Sequence, residues 1–178
     1  SFFYDLNLYV HGERLVWGRP LYPMILSISY LFKDMTNVYL VMKVINALLS
    51  SLVIFPAYYL SKEFLSEKKS LLTAIVISLL PSNFSLTSYM MAENLFYSLF
   101  LIAIYFIYKA LNEDKFIWLI LSGLFIGLSN LTRVQGVIFF PLIIILFLVK
   151  KRIKSLFWIL YFSAIVLAPY YFVNVKYL

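Results

Sequence analysis

Apolar residues dominate the chain in long runs, and the polar residues between them are grouped rather than evenly spread. A run of about 20 apolar residues is long enough to cross a hydrocarbon core as a helix. Six stretches approach that length: Val38 to Leu60, Ser70 to about Ser88, Leu95 to Leu111, Phe116 to Thr132, Val137 to Val149 and Ser155 to Val173. The fifth is short and follows directly on Gly136, so it is expected to be tilted or broken. Pro20 to Phe32 is shorter still and reads as a helix lying at the interface or partly inserted. The predicted fold is therefore all-α: a polytopic transmembrane helix bundle of about six spans with an N-terminal interfacial helix. Internal repeats and Gly/Ser-rich linkers are absent, so residues 1–178 are read as one membrane domain, with 1–37 an external loop plus juxtamembrane helix and 38–178 the transmembrane helices. The chain starts at Ser1 and stops just after an apolar segment, which suggests a piece of a longer chain, inactive without the helix expected to precede it.

Composition supports the same reading. Of 178 residues, 63% are hydrophobic and only 13% charged, against about 45–50% and about 25% in soluble domains. Such a chain has too few polar side chains to coat a globule. There is no cysteine, which excludes disulfides and thiolate metal sites, and the single histidine, His11, excludes a multi-histidine site. The net charge of +7 could point to nucleic acid, but the basic residues cluster between apolar runs and read as membrane topology. Lys62, Lys68 and Lys69 share one loop, Lys109 and Lys115 bracket the next alternate loop, and Lys150, Lys151, Arg152 and Lys154 form the third. The intervening loops, around residues 81–94 and 132–136, hold only Arg133. The positive-inside rule puts the lysine-rich loops in the cytoplasm and the N-terminal segment, Glu93 and Arg133 on the outer face.

Ionisable residues close to hydrocarbon are costly and invite a functional explanation. Asp5, Arg14, Arg19, Lys43, Glu93 and Arg133 are the ones that cytoplasmic solvation does not explain, and all fall at or near one face. Each also has an ordinary reading. Glu93 at a helix entrance complements the helix dipole, Arg133 and Lys43 snorkel to the interface, and Asp5 is a solvated loop acid. Asn83-Phe84-Ser85 and Asn130-Leu131-Thr132 match the glycosylation sequon, a weak pattern. Two acids without histidine leave Mg²⁺ or Mn²⁺ open through oxygen ligands, and no cofactor is fixed.

Those residues also carry a family resemblance. Phe2-Phe3-Tyr4-Asp5 with Tyr9, Gly18-Arg19-Pro20-Leu21-Tyr22-Pro23, Lys43-Val44-Ile45-Asn46, Pro56-Ala57-Tyr58-Tyr59-Leu60, Leu80-Pro81-Ser82, Met91-Ala92-Glu93-Asn94-Leu95-Phe96 and Gly123 to Arg133 follow one another in the order found in GT-C glycosyltransferases. Specifically, the chain resembles the membrane core of the dolichyl-phosphate-mannose mannosyltransferase-like group, whose sugar donor is a phospholipid carrier. The resemblance implies an acidic catalytic base in the first external loop, matched by Asp5, although Leu6 follows where the family often has Glu. It implies a second acid in the next external loop, matched by Glu93, and cations for the donor phosphate, matched best by Arg133, with Arg19 and Lys43 as further candidates. It further implies a cell-envelope enzyme that transfers a sugar, with inversion, from a polyprenyl phosphate to a glycan, lipid or protein acceptor on the outer face of the cell membrane. The chemistry asks for a carboxylate to take the hydroxyl proton, positive charge for the leaving phosphate, and a lipid-facing groove for the isoprenoid tail. A polytopic transporter or flippase, with polar groups nearer mid-membrane on broken helices, is the alternative, and a non-catalytic scaffold the third reading.

Overall fold

The computed structural model describes residues 19–80, 89–113 and 115–175, together with the backbone of two short strands. Those strands, Tyr9–Val10 and Glu13–Arg14, form a two-residue antiparallel ladder with Tyr9 opposite Arg14. The other elements among the described residues are helical: α1 (Leu21–Leu26), a 3₁₀ segment (Ser27–Leu31), α2 (Met35–Ser51), α3 (Ile54–Lys62), α4 (Glu67–Ser78), α5 (Glu93–Asn112), α6 (Phe116–Thr132), a second 3₁₀ segment (Val134–Ile138), α7 (Phe139–Val149) and α8 (Ile153–Val175). Among the described residues, three stretches are long and apolar enough to cross a membrane: Met35–Lys62, Glu93–Asn112 and Ile153–Phe172. Leu21–Leu31, Phe116–Thr132 and Val134–Val149 are shorter apolar helices.

The differences from the pattern-based expectation are local. Val38 to Leu60 was expected as one span, and Met35–Lys62 is one candidate crossing, but it is made of two helices. Pro56 has no N–H to return to Leu52, and the chain passes through a tighter turn at Leu52–Val53, where the Phe55 N–H donates to the Leu52 carbonyl at 3.3 Å. Asp34 caps α2 through the Thr36 N–H. The Pro20–Phe32 segment becomes a short α-helix that tightens to 3₁₀. The expected break before residue 139 is the second 3₁₀ segment, after which α7 runs clear. The stretch expected from Ser70 to Ser88 is helical over Glu67–Ser78, and residues 81–88 lie outside the described part.

Close packing of α6 on α8 depends on two glycines four residues apart. A Cβ on Gly123 would stand 2.6 Å from the Phe162 Cβ and 2.7 Å from the Ile159 carbonyl oxygen, and one on Gly127 2.7 Å from the Val166 Cβ. Small residues at this spacing let helix backbones approach in lipid, where hydrophobicity does not drive helices together. The core where α5, α6, α7 and α8 meet is built from Ala103, Ile107, Ile126, Phe139, Ile143, Phe147 and Ile159. Three hydroxyls of α6 inside the bundle are bonded to their own helix: Ser122 to the Trp118 carbonyl at 2.6 Å, Ser129 to Phe125 at 2.7 Å and Thr132 to Leu128 at 2.8 Å. Among the described residues no buried side-chain polar atom lacks a partner, as an apolar solvent demands.

The two ends of the bundle differ in charge. At one end the Lys109 ammonium bridges Glu63, at the end of α3, and Glu113, each at 2.9 Å. Lys115 meets Glu113 at 3.0 Å, and Arg152 donates to the Ala110 carbonyl at 3.1 Å. All three lysine-rich loops therefore gather at this end. At the other end lie Arg19, Glu93 and Arg133.

Candidate active site

Glu93 opens α5, and Arg133 caps the C-terminal end of α6 in extended backbone, φ −147° and ψ 150°. These antiparallel helices bring the start of one beside the finish of the other. The Arg133 guanidinium makes an ion pair with the Glu93 carboxylate. The pair is only partly buried, with side-chain exposures of 26% and 23%, so it faces an opening and not the core. The Arg133 Nε also donates to Gln135 Oε1 at 3.0 Å, which fixes the plane of the guanidinium. Gln135 stands on the 3₁₀ turn whose Gly136 backs onto α6: a Cβ there would lie 2.6 Å from the Asn130 nitrogen. Glycine at 136 thus allows the turn to fold back and present Gln135 to Arg133.

Arg19 arrives from the N-terminal side. Its Nη1 donates to Asn130 Oδ1 at 2.7 Å, and its guanidinium lies 5.7 Å from the centre of the Tyr170 ring on α8. Asn130 stands three residues before Arg133 on α6, so Arg19, Glu93 and Arg133 share one end of the bundle, held by α1, α5 and α6. Asn130 is also 1% exposed, and its carbonyl accepts from Arg19. Its sequon match is therefore a helix-internal hydrogen-bonding residue, not a glycan acceptor.

A second polar lock holds α1, α2 and α5 together just inside this end. Asn46 Oδ1 accepts from the Tyr22 hydroxyl and from Asn94 Nδ2, both at 2.9 Å, and Asn46 Nδ2 donates to the Tyr89 carbonyl at 2.8 Å. Asn94 Nδ2 also reaches the Tyr89 and Met91 carbonyls at 3.2 Å. Asn94 directly follows Glu93, so this network sets the entry of α5. In the sequence Asn46 stands out only beside Lys43, Asn130 only as a sequon match, and Asn94 and Tyr22 only within the family motifs. The available signal was amide residues inside apolar runs, where an unsatisfied amide is expensive.

Lys43 is not part of this grouping. It is exposed on α2, with its ammonium 4.6 Å from the Tyr39 ring. Asp5 lies outside the described residues. Among the described residues no three His, Asp or Glu side chains converge as a metal site. A divalent cation at Glu93 would have to displace the Arg133 guanidinium.

Below the Asn46–Asn94 lock, an apolar groove of about 410 Å³ separates α3 from α5 and α6. Leu52, Phe55, Tyr59, Leu99, Phe106 and Phe125 line it, with Leu52 at the junction between α2 and α3.

A charged cluster at one end of an apolar bundle fits several membrane functions, and comparison with known families decides among them. The family model for dolichyl-phosphate-mannose-protein mannosyltransferases matches residues 19–173. The chain belongs to that family. It is a GT-C-type glycosyltransferase chain of the membrane, acting in a family that works with lipid-linked sugar donors. Family membership supports glycosyl transfer over transport or scaffolding. The matched stretch takes in Arg19, Lys43, Glu93 and Arg133 and begins after Asp5. No single characterised protein and no solved structure matches the chain significantly.

Proposed function

We propose that this chain is the membrane core of an enzyme that transfers a sugar, with inversion, from a polyprenyl-phosphate donor to an acceptor at the outer face of the cell membrane. The observation carrying this reading is that two bonded groups, Glu93–Arg133–Gln135 and Arg19–Asn130, lie at the end of the bundle opposite the lysine-rich loops. By the positive-inside rule that end faces outward.

The roles follow from the contacts. Two arginines at one end of an apolar bundle supply planar, permanently charged donors for the departing phosphate. Glu93 holds Arg133 from one side and Gln135 from another, so Glu93 acts as a positioning residue for the phosphate cation. The attacking hydroxyl then gives its proton to a second carboxylate, for which Asp5 is the candidate. One base and one displacement at the anomeric carbon invert its configuration. No step requires a metal at Glu93. The apolar groove offers a place for the isoprenoid tail. Its Leu95, Leu99, Ile102 and Phe106 stripe lies about half a turn around α5 from Glu93. A tail seated there would bring its phosphate to Glu93 around the N-terminal end of the helix.

The test is transfer of labelled mannose from polyprenyl-phosphate mannose by the whole enzyme in proteoliposomes. Asp5→Asn is expected to lower the rate about 10²–10⁴-fold with insertion unchanged. Full activity in Asp5→Asn would remove Asp5 as the base. A wild-type enzyme that moved labelled donor across the bilayer without forming a glycoside would refute the transferase reading.

A further inference from the structure

At the lysine-rich end, a second cavity of about 240 Å³ sits where the end of α5, the start of α6 and the start of α8 meet. Its polar wall is Lys115, Arg152, Lys154 and Glu113, and its apolar wall is Phe116, Leu119 and Trp158. We propose that this cavity binds the phosphate headgroup of an anionic membrane phospholipid, with the acyl chains lying over Phe116 and Trp158.

Three observations converge on that ligand. The first is charge. Three cations, Lys115, Arg152 and Lys154, line the cavity with one acid, Glu113. Glu113 already holds Lys109 at 2.9 Å, Lys115 at 3.0 Å and the Trp118 indole N–H at 2.9 Å, so its charge is engaged within the protein. The second is geometry. Helix α7 ends in a Schellman turn, with the Arg152 N–H bonded to the Phe147 carbonyl at 2.8 Å and Lys151 N–H to Leu148 at 2.9 Å. Together with the Arg152 contact to the Ala110 carbonyl, this turn fixes the guanidinium at the cavity. Lys154 follows on the first turn of α8, four residues before Trp158, so cation and indole lie on one helix face.

The third observation is the amphipathic match to a bilayer. Phe116 and Trp158 are 49% and 38% exposed and pack edge to face at 5.3 Å, continuing into Phe162. Cations directly above an exposed aromatic wall reproduce the order of phosphate above acyl chain. A cavity of this size has room for about eight waters by liquid volume, enough for a phosphate with part of its hydration. Basic pockets between helices at the cytoplasmic surface are a recognised way of holding lipid headgroups. This site is remote from Glu93 and Arg133 and does not depend on the transferase reading.

Trp158 gives the assay. The whole enzyme is placed in phosphatidylcholine vesicles, and phosphatidylglycerol with brominated chains is titrated in while tryptophan quenching is followed. Saturable quenching beyond that of brominated phosphatidylcholine is expected, and it should disappear in Trp158→Phe. Lys115→Gln combined with Lys154→Gln should weaken the saturable component about 25-fold, at about fivefold for each lysine near the surface. Lys150→Gln with Lys151→Gln, outside the cavity, should change it less than about twofold. Equal loss in the two double variants would mean diffuse attraction and overturn the site. Relief of quenching by inorganic phosphate at the lipid's own concentration would make the ligand a soluble phosphate and overturn the lipid assignment. No excess quenching in wild type would refute both.

Discussion

Arg133 is useful because it is held twice, by the Glu93 carboxylate and by Gln135. Glu93→Gln should therefore act through Arg133, and so should Arg133→Gln. If each lowers transfer about 100-fold, the double variant is expected to be little worse than either single one, because groups acting as a unit are strongly non-additive. A multiplicative loss in the double variant would mean that the two residues act separately. Arg133→Lys keeps the charge but loses the planar fork, and should recover only part of the rate. The amide lock makes a separate prediction about stability. Asn46→Leu leaves the Tyr22 hydroxyl and the Asn94 amide without the oxygen they share. It should cost about 1–3 kcal/mol for each buried group left unsatisfied, read as a lowered unfolding midpoint in detergent.

Where helices meet or end, the backbone makes demands that particular residues answer. Gly123→Leu must push α8 away, since even a Cβ meets the Phe162 Cβ at 2.6 Å and the Ile159 carbonyl at 2.7 Å. A loss of about 1–3 kcal/mol is expected from the overpacking. Lys151 has φ 54°, the left-handed region that side chains resist, at the position where a Schellman turn usually carries glycine. Lys151→Gly should stabilise the fold by up to about 1 kcal/mol, read as a slightly raised melting midpoint. At the same end, hydrogen bonds from Lys109, then Lys115 and Trp118, hold the Glu113 carboxyl down to about 2. Because the folded value is depressed, its contribution is complete above the ordinary carboxylate range and is lost as pH falls through about 2. The difference in melting midpoint between wild type and Glu113→Gln should accordingly stay constant from neutral pH to about 5 and shrink at lower pH. A difference that grew on acidification would contradict the ion-pair account.

For the bundle as a unit, the testable consequence is sidedness. The chain has no cysteine, so single cysteines at exposed Val134 and at Lys150 can be labelled cleanly. Reagent confined to the outside should reach Val134→Cys and not Lys150→Cys, and Leu65→Cys should behave like Lys150→Cys. Labelling of Val134 and Lys150 from the same side would end the outward-facing reading. Much of this arrangement was legible beforehand. Outside residues 70–88 the apolar runs located the helices to within a few residues, because the length of a membrane crossing leaves a strong compositional trace, and the spacing of lysines foretold which loops share an end. The isolated charges Arg19, Glu93 and Arg133 were also legible as residues needing partners. The partners themselves were not, since a hydrogen bond such as Arg19 to Asn130 spans 111 positions of chain and leaves no local pattern. Lys43 shows the limit from the other direction: its spacing suits the site as well as Asn46 does, yet a step of three residues on one helix turned Asn46 inward and left Lys43 exposed. Hydropathy and charge order, being properties of single residues against a slab of hydrocarbon, are written along the chain. Which polar groups meet depends on helix rotation and close approach, set here by Gly123, Gly127 and Gly136, and only packing in three dimensions decides it.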